Sequence, residues 1–365
     1  MSNLKKPKQT LSASKIKTFK ECSWKYWCKY VLKIPDTSND GAKRGSICHL
    51  VFECLGNPRH KKRHYKDLLE NGIKSGSSVD LLIEKWSRKL ELDLDTEEDI
   101  LSKNLINSKL DMLGDHVNGN QISNRGIIYS MIDEGLKYDF YGDSTYAPSE
   151  SFDEIDFNIE TEDYKIRGFI DKLFIYKKEG KILIRDFKTS KQSFKGKDAE
   201  DNIQSLMYAL AIRDLYPEFI KQDIKVEFVF LRLMGRVGDK VRCDVSPTEL
   251  DGFEFILSQI QDDIDNFNID SAKSNFSHHQ GMPKDGSFSG QLLCGFAKEK
   301  GQLKKNGLPM WHCPVKFDLE YYALVDENDE VQATSFDIDD LLENDLADTC
   351  RLEHKYYSGC PAHKG

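Results

Sequence analysis

The chain has 365 residues and a mass of 42.0 kDa, with 39% apolar and 31% charged residues, a composition that supports a sizeable core in a globular protein. No run of 18 or more apolar residues occurs and no apolar stretch follows the first lysines, so neither a transmembrane helix nor a secretory leader is expected. The net charge of −9 argues against bulk coating of nucleic acid, and nine cysteines, an odd number, predict reduced thiols and a cytoplasmic setting.

In chain order, Ser12 or Ser14 caps a first helix carrying Ile16, Phe19, Trp27, Tyr30 and Val31, ended by Pro35. A second helix is predicted from near Gly45, with Ile47, His49, Leu50 and Phe52. From about Leu55 to Tyr146 the pattern is helical and polar (Leu81, Leu82, Trp86, Leu90, then Ile100, Leu105, Leu110, Leu113) and holds no chemical motif, so it reads as a helical insertion. Near Pro148 the period changes to two. Residues 152–159, 164–175 and 182–188 alternate apolar with polar and predict three antiparallel strands, the last two joined by a turn at Lys177–Gly180. A helix over 201–215 closed by Pro217, a strand over 226–233, and a helix opening on the capping box Ser246-Pro247-Thr248-Glu249 and running to about Phe267 complete the series. This order predicts an α/β fold: a mixed central sheet flanked by helices, with a helical insertion. The segments read as 1–54 (N-terminal helices), 55–147 (insertion), 148–290 (the strand-bearing core) and 291–365 (a cysteine-bearing, acidic segment).

The chemistry concentrates in Gly168-Phe-Ile-Asp171 and Asp186-Phe-Lys188. Alternation turns Asp186 and Lys188 to one face, and a hairpin brings Asp171 beside them. Two carboxylates suit a hard cation such as Mg²⁺ or Mn²⁺, which activates water and screens phosphate charge, while a lysine orients that water. Alone, Asp-x-Lys reads as a surface ion pair, because the tripeptide is common. Its neighbours add weight: Gly45-x-x-x-His49 upstream, and Gln204 with Tyr208 at i, i+4 on the next helix. The ordered set G-x-x-x-H, G-x-x-D, D-x-K, Q-x-x-x-Y, with the opening Leu11-Ser-Ala-Ser-Lys-Ile-Lys-Thr-Phe-Lys-Glu-Cys22-Ser-Trp-Lys-Tyr-Trp27, resembles the RecB-like branch of the PD-(D/E)XK nuclease superfamily. That branch includes the nuclease domains of RecB and AddB proteins and CRISPR-associated and phage exonucleases. The resemblance covers about 11–54 and 150–235.

It implies a restriction-endonuclease-like core and a metal-dependent DNA exonuclease acting in recombination, repair or phage DNA processing, in the cytoplasm of a bacterial or phage-infected cell. His49, Asp171, Asp186 and the backbone carbonyl of Phe187 would be metal ligands for Mg²⁺ or Mn²⁺. Lys188 would be the catalytic lysine, and Gln204 and Tyr208 would contact DNA or order the water. Glu150 reads first as a solvated strand-start glutamate and otherwise as a further acid near the site, and Glu53, one turn after His49, reads equally as a residue that orients it or as a surface glutamate. Some relatives carry a [4Fe–4S] cluster, for which Cys22, Cys294, Cys313 and Cys360 are the candidate ligands. No C-x-x-C occurs, and a zinc site or ordinary thiols are the other readings. Cys28, Cys48 and Cys54 read as core.

Charge is uneven: residues 1–33 hold nine lysines and one acid, a net of +8, leaving −17 elsewhere, and residues 326–348 hold ten acids without Lys or Arg. Further basic clusters are Arg59–His64, Lys188/Lys191/Lys195/Lys197 and Lys298/Lys300/Lys304/Lys305. Lys15, Lys17, Lys191 and Lys195 are the candidate contacts to DNA, as single strand or duplex end, through salt-sensitive phosphate binding. Aromatics among the first lysines (Phe19, Trp24, Tyr26, Trp27, Tyr30) serve base stacking or helix packing. Other recombination or replication proteins are the expected partners. No G-x-x-x-x-G-K-[ST] loop occurs, so ATP-driven unwinding would come from another chain. The competing reading is an inactive DNA-binding or scaffold subunit of the same fold.

Overall fold

The computed structural model describes residues 8–36, 40–57, 67–68, 72–95, 116–117, 120–121, 123–137, 140, 142, 147–190, 192–194, 202–219, 224–233, 235, 239–277, 294–305, 307 and 309–363. Its longer elements, in chain order, are α1 (Ala13–Glu21), α2 (Asp40–Gly56), α3 (Ser78–Lys89), α4 (Asn124–Lys137), β1 (Glu150–Glu160), β2 (Lys165–Tyr176), β3 (Lys181–Lys188) and α5 (Ile203–Leu215). There follow β4 (Ile224–Phe230), β5 (Lys240–Val245), α6 (Pro247–Asp265), β6 (Leu319–Val325), β7 (Val331–Ser335) and β8 (Arg351–Tyr357). The chain divides into two compact units, Ser38–Gln259 and Met1–Thr37 with Ile260–Gly365, and the boundary falls inside α6. Among the described residues no helix is long and apolar enough to cross a membrane.

The unit spanning Ser38–Gln259 is built on a five-stranded sheet of order β1-β2-β3-β4-β5. β1, β2 and β3 form an antiparallel meander, β3 pairs parallel with β4, and β5 returns antiparallel. The sheet is mixed because the β3–β4 connection is a crossover through α5, as parallel pairing requires. This is the mixed α/β sheet flanked by helices that the sequence predicts. Six consecutive β3 residues, Ile182–Phe187, are buried, as in a strand covered on both faces. β1, at the edge, alternates in its second half: Phe157 and Ile159 are buried and Asn158 and Glu160 exposed.

On one face lie α2, α3 and α4. Their apolar stripes (Ile47, Val51, Phe52 and Leu55; Val79 and Ile83; Ile128, Met131 and Ile132) pack with Phe187, Val229 and Leu231 of the sheet region. Where described, the insertion carries the helices α3 and α4 but also a short antiparallel ladder, His116–Val117 with Asn120–Gln121, that the helical pattern does not announce; Ile100, Leu105, Leu110 and Leu113 lie outside the described residues. Arg125 on α4 joins the two helices by ion pairs to Asp80 and to Glu84 (3.1 Å), and also pairs with Asp95 (2.7 Å). Within the sheet, Arg185 and Glu227 form a buried pair at 2.8 Å across the parallel ladder, and Arg242 of β5 also binds Glu227.

In the other unit, Ser12 caps α1 by accepting from the Lys15 amide at 3.2 Å. The predicted single helix to Pro35 breaks at Cys22, whose extended backbone ends α1 and starts a short turn, Ser23–Tyr26, followed by a π-helical turn, Trp27–Val31. A three-stranded antiparallel sheet of order β8-β6-β7 lies in the C-terminal part. The core of this unit joins both ends of the chain: Trp24, Cys28 and Ile34 pack with Phe276, Val315, Tyr321, Val325 and Tyr357. The Trp24 indole donates to the Tyr357 hydroxyl at 2.7 Å, which donates to the Val315 carbonyl at 2.9 Å.

Candidate active site

The antiparallel register of β2 and β3 ends at Lys172↔Arg185, so the next step places Asp171 beside Asp186. The β3 alternation sends the Phe187 ring into the core, 4.5 Å from that of Phe52, and turns Asp186 and Lys188 the other way. Phe187 therefore offers the site only its backbone, and its amide donates to Asp171 Oδ2 at 2.8 Å. Two glycines permit this assembly. A Cβ on Gly168 would lie 2.6 Å from the Phe157 ring, its cross-strand partner. A Cβ on Gly45 would lie 2.8 Å from Thr189 Oγ1, so glycine lets α2 approach the end of β3. One turn after Gly45, His49 Nδ1 reaches Asp171 Oδ1 at 3.2 Å.

Asn202 caps α5 by accepting from the amides of Gln204 and Ser205, which fixes the helix start beside β3. Gln204 and Tyr208 then face the site from one side of the helix. Gln204 accepts from Lys188 Nζ at 2.7 Å and donates to Asp186 Oδ1 at 3.0 Å. Tyr208 donates to the same oxygen at 2.9 Å. The other Asp186 oxygen, Oδ2, is buried, and Lys188 Nζ stands 2.7 Å from it in an ion pair.

Burial holds the Asp186 carboxyl above the usual carboxylate range; Lys188 opposes this and Asp171 adds to it. For His49 burial pulls downward, but the adjacent Asp171 carboxylate outweighs it, and the imidazole is pushed up to about 9. Burial, then Asp186, raises Tyr208 well above its ordinary value, so it remains a donor. Among the described residues no three His, Cys, Asp or Glu side chains stand ready as a metal-ligand set. The polar atoms satisfy one another instead, with Asp186 Oδ2 held by the Lys188 ammonium. The donors, two carboxylates and an imidazole, suit a hard divalent cation that tolerates nitrogen.

The sequence motifs G-x-x-x-H, G-x-x-D, D-x-K and Q-x-x-x-Y thus meet at one place, with Gln204 and Tyr208 bound to Asp186 and Lys188. Glu154, which the sequence reading passes over, also faces this region. It sits in β1 between the pairs Asp153↔Lys172 and Ile155↔Ile170, opposite Asp171, with φ of 51°. Burial, then Asp171 and Glu53, raise its carboxyl. Only strand register could have found it. Glu150 pairs instead with Lys177 at the far end of β1.

Of the candidate DNA contacts, Lys191 and Lys195 lie outside the described residues, as do Arg59–His64 and Lys197. Lys17 is exposed and pairs loosely with Glu21 at 3.8 Å. Lys15 is committed to Gln9 Oε1 and the Thr10 carbonyl. The aromatics Phe19, Tyr26 and Tyr30 pack on one another and on Phe267, which makes them packing groups rather than free stacking platforms.

Within the other unit, Cys22, Cys294, Cys313 and Cys360 line one small pocket, with Lys25 and Lys316 beside them. Burial, reinforced by the neighbouring thiols, pushes Cys294 up to about 11 and Cys360 up to about 12. Cys28 and Cys48 are fully buried as predicted, whereas Cys54 is only partly so.

The chain matches the PD-(D/E)XK nuclease superfamily over residues 10–280. No curated protein matches it by sequence. Among solved structures it is similar to a protein of Eubacterium rectale provisionally named an exonuclease, at 13% identity and TM-score 0.40, covering 70% of this chain and 81% of that one. It is also similar to protein VC1899 of Vibrio cholerae, at 14% identity and TM-score 0.24, covering 60% and 57%.

Proposed function

Because the chain belongs to the PD-(D/E)XK nuclease superfamily, we propose that it is a metal-dependent DNA exonuclease whose centre is His49, Asp171, Asp186 and Lys188. The observation that carries this reading is the convergence of the buried Asp186 carboxylate with Asp171, the His49 imidazole and the Lys188 ammonium at the end of β3. His49, Asp171, Asp186 and the Phe187 carbonyl would hold Mg²⁺ or Mn²⁺. Such a cation lowers the pKa of water and screens charge building on the scissile phosphate.

The chain's own groups do the rest. Lys188 presents an ammonium to the attacking water and to phosphate charge. Gln204 fixes that ammonium and Asp186 in one frame, and Tyr208 holds the other side of Asp186. The Phe187 amide orients Asp171. Roles in recombination, repair or phage DNA processing, with other proteins of those processes as partners, belong to the same proposal.

The test compares linear with circular DNA in Mg²⁺ or Mn²⁺, for the native chain and for Asp186→Ala and Lys188→Ala. Metal-dependent loss of linear DNA alone, abolished in Asp186→Ala and slowed about 10²–10³-fold in Lys188→Ala, is expected. No cleavage by the native chain favours the scaffold reading, and equal activity in the variants removes the assigned centre.

Cys22, Cys294, Cys313 and Cys360 line one pocket; a [4Fe–4S] cluster there would bind them as thiolates, release protons and draw the four thiols into one ligand set. Visible absorption by the purified protein, lost in Cys313→Ser, is the check. A colourless protein containing zinc would assign the lesser reading.

A further inference from the structure

Residues 294–305 and 309–316, in the unit that holds the C-terminal sheet, form a short antiparallel ribbon. Its backbone is held by the bridges Gly295↔His312 and Leu303↔Pro309. Hydrogen bonds run from the Phe296 amide to the Trp311 carbonyl (3.1 Å), from Met310 to Gln302 (2.8 Å) and from Cys313 to Cys294 (3.0 Å). Gly295 has φ of 78°, and a Cβ there would lie 2.8 Å from the Trp311 ring, so the ring lies close over the glycine.

This ribbon has two unusual features for a chain of net charge −9. First, it presents two aromatic rings to solvent: Phe296 is 58% and Trp311 52% exposed. Second, residues 294–316 hold five lysines (298, 300, 304, 305, 316) and one acid, Glu299, a net of 5 − 1 = +4. Lys300 is occupied by the Asp318 carbonyl at 2.8 Å and Lys316 by the Gly295 carbonyl at 3.2 Å. Lys298, Lys304 and Lys305 are exposed and make no ion pair with any described residue. Phe296, Lys298 and Lys316 also line a cavity of about 550 Å³, within the range of small-ligand sites.

Exposed rings beside unpaired ammonium groups are what an unpaired nucleic-acid strand requires: the rings stack on base faces, which a duplex hides, and the ammonium groups meet phosphates. We propose that this ribbon is a binding surface for single-stranded DNA, with bases on Phe296 and Trp311 and phosphates against Lys298, Lys304 and Lys305. The choice of DNA rests on the nuclease reading above; the surface itself does not.

The test measures binding of labelled (dT)20 by fluorescence anisotropy in EDTA, across a salt series, so that no cleavage intervenes. Phe296→Ala should weaken binding by about fivefold to a hundredfold, the range for losing one stacked base. Trp311→Phe should keep most of the affinity, because it keeps a ring. The triple change Lys298→Gln, Lys304→Gln, Lys305→Gln should flatten the slope of log K against log salt by about 2, at about 0.7 per phosphate contact on a single strand. Unchanged affinity in the Phe296 variant, or an unchanged slope in the lysine variant, would overturn the proposal. So would equal weakening of a blunt duplex by Phe296→Ala. Native protein that binds (dT)20 through these residues but never cuts DNA with Mg²⁺ or Mn²⁺ would sink the nuclease reading and leave this surface standing.

Discussion

Asp186 is the residue on which the candidate centre turns. It is buried, its Oδ1 takes two hydrogen bonds from α5, and its Oδ2 is ion-paired with Lys188. Gln204 and Tyr208 act on the reaction through Asp186 and Lys188, which makes them positioning residues. Loss of such an outer partner typically costs about 10–100-fold in metal affinity or activity. Tyr208→Phe removes the hydroxyl donor and leaves the ring, so the expected result is a 10–100-fold weaker response to Mn²⁺ with a largely recovered rate at saturating metal. A metal titration of activity checks this. Lys188→Ala, by contrast, should stay slow at every metal concentration, by about 10²–10³-fold, the cost of removing one charge-stabilising donor. If high Mn²⁺ restores Lys188→Ala as fully as Tyr208→Phe, the two roles are not distinct.

At the scale of elements, the approach of α2 to β3 is set by a missing side chain. Gly45→Ala brings a methyl to within 2.8 Å of Thr189 Oγ1, while Thr189 Cβ stands at 3.8 Å. Overpacking of this kind costs about 1–3 kcal/mol, and it acts one turn before His49. Gly45→Ala should therefore lower both melting temperature and cleavage rate, and adding Thr189→Ala should restore much of each. Additive losses in the double variant would contradict the steric account. A second element-scale case is the buried Arg185–Glu227 pair joining β3 to β4. Removing one partner of such a pair costs about 3–5 kcal/mol because the other is left uncompensated. Burial tends to raise Glu227, but Arg185, Arg242 and Lys240 outweigh it and its carboxyl is lowered. Its folded pKa lies below its unfolded one, so its contribution is present above the unfolded value near 4.5 and is lost as pH falls through the folded one. Glu227→Gln should unfold at lower denaturant at pH 7, and the gap from the native chain should narrow toward pH 3. A constant gap across that range would remove the charge from the explanation.

The same elements show what was legible. β1–β3 were readable because apolar-rich runs of strand length, alternating in β1 and the first part of β2, are joined by a Gly turn, while β3 departs from the expected alternation in being buried from Ile182 to Phe187; α6 was readable because its capping box forms as written, with the Ser246 amide and hydroxyl donating to Glu249. β5 was not, since Lys240-Val-Arg-Cys-Asp-Val245 is half exposed and polar enough to pass for a loop. β7, only half-buried, and β8, largely exposed, sit within or beside the acidic run, so no apolar alternation announced them. The four motifs could be ordered along the chain, but the bonds from Gln204 and Tyr208 to Asp186, and the place of Glu154 opposite Asp171, depend on register and helix start.

At the scale of the whole chain, the linear segments do not coincide with the compact units, because the first 37 residues group with residues 260–365. The physical reason is a shared core. Trp24 is 7% exposed, packs against Phe276 at 5.9 Å between ring centroids, and donates to Tyr357 on β8. No local pattern announces a partner 333 residues away. A consequence follows for stability. Truncating a buried Trp typically costs about 3–5 kcal/mol, and here the loss also leaves the Tyr357 hydroxyl without its donor. Trp24→Ala should therefore loosen the unit that contains β6–β8 while the five-stranded sheet of Ser38–Gln259 persists. Limited proteolysis should show early cuts after residue 260, and thiol labelling should reach Cys294, Cys313 and Cys360 faster than in the native chain. Cys48, buried in the other unit, should keep its native protection, and that contrast separates loosening of one unit from unfolding of the whole. Equal acceleration at Cys48 would mean that the two units unfold as one.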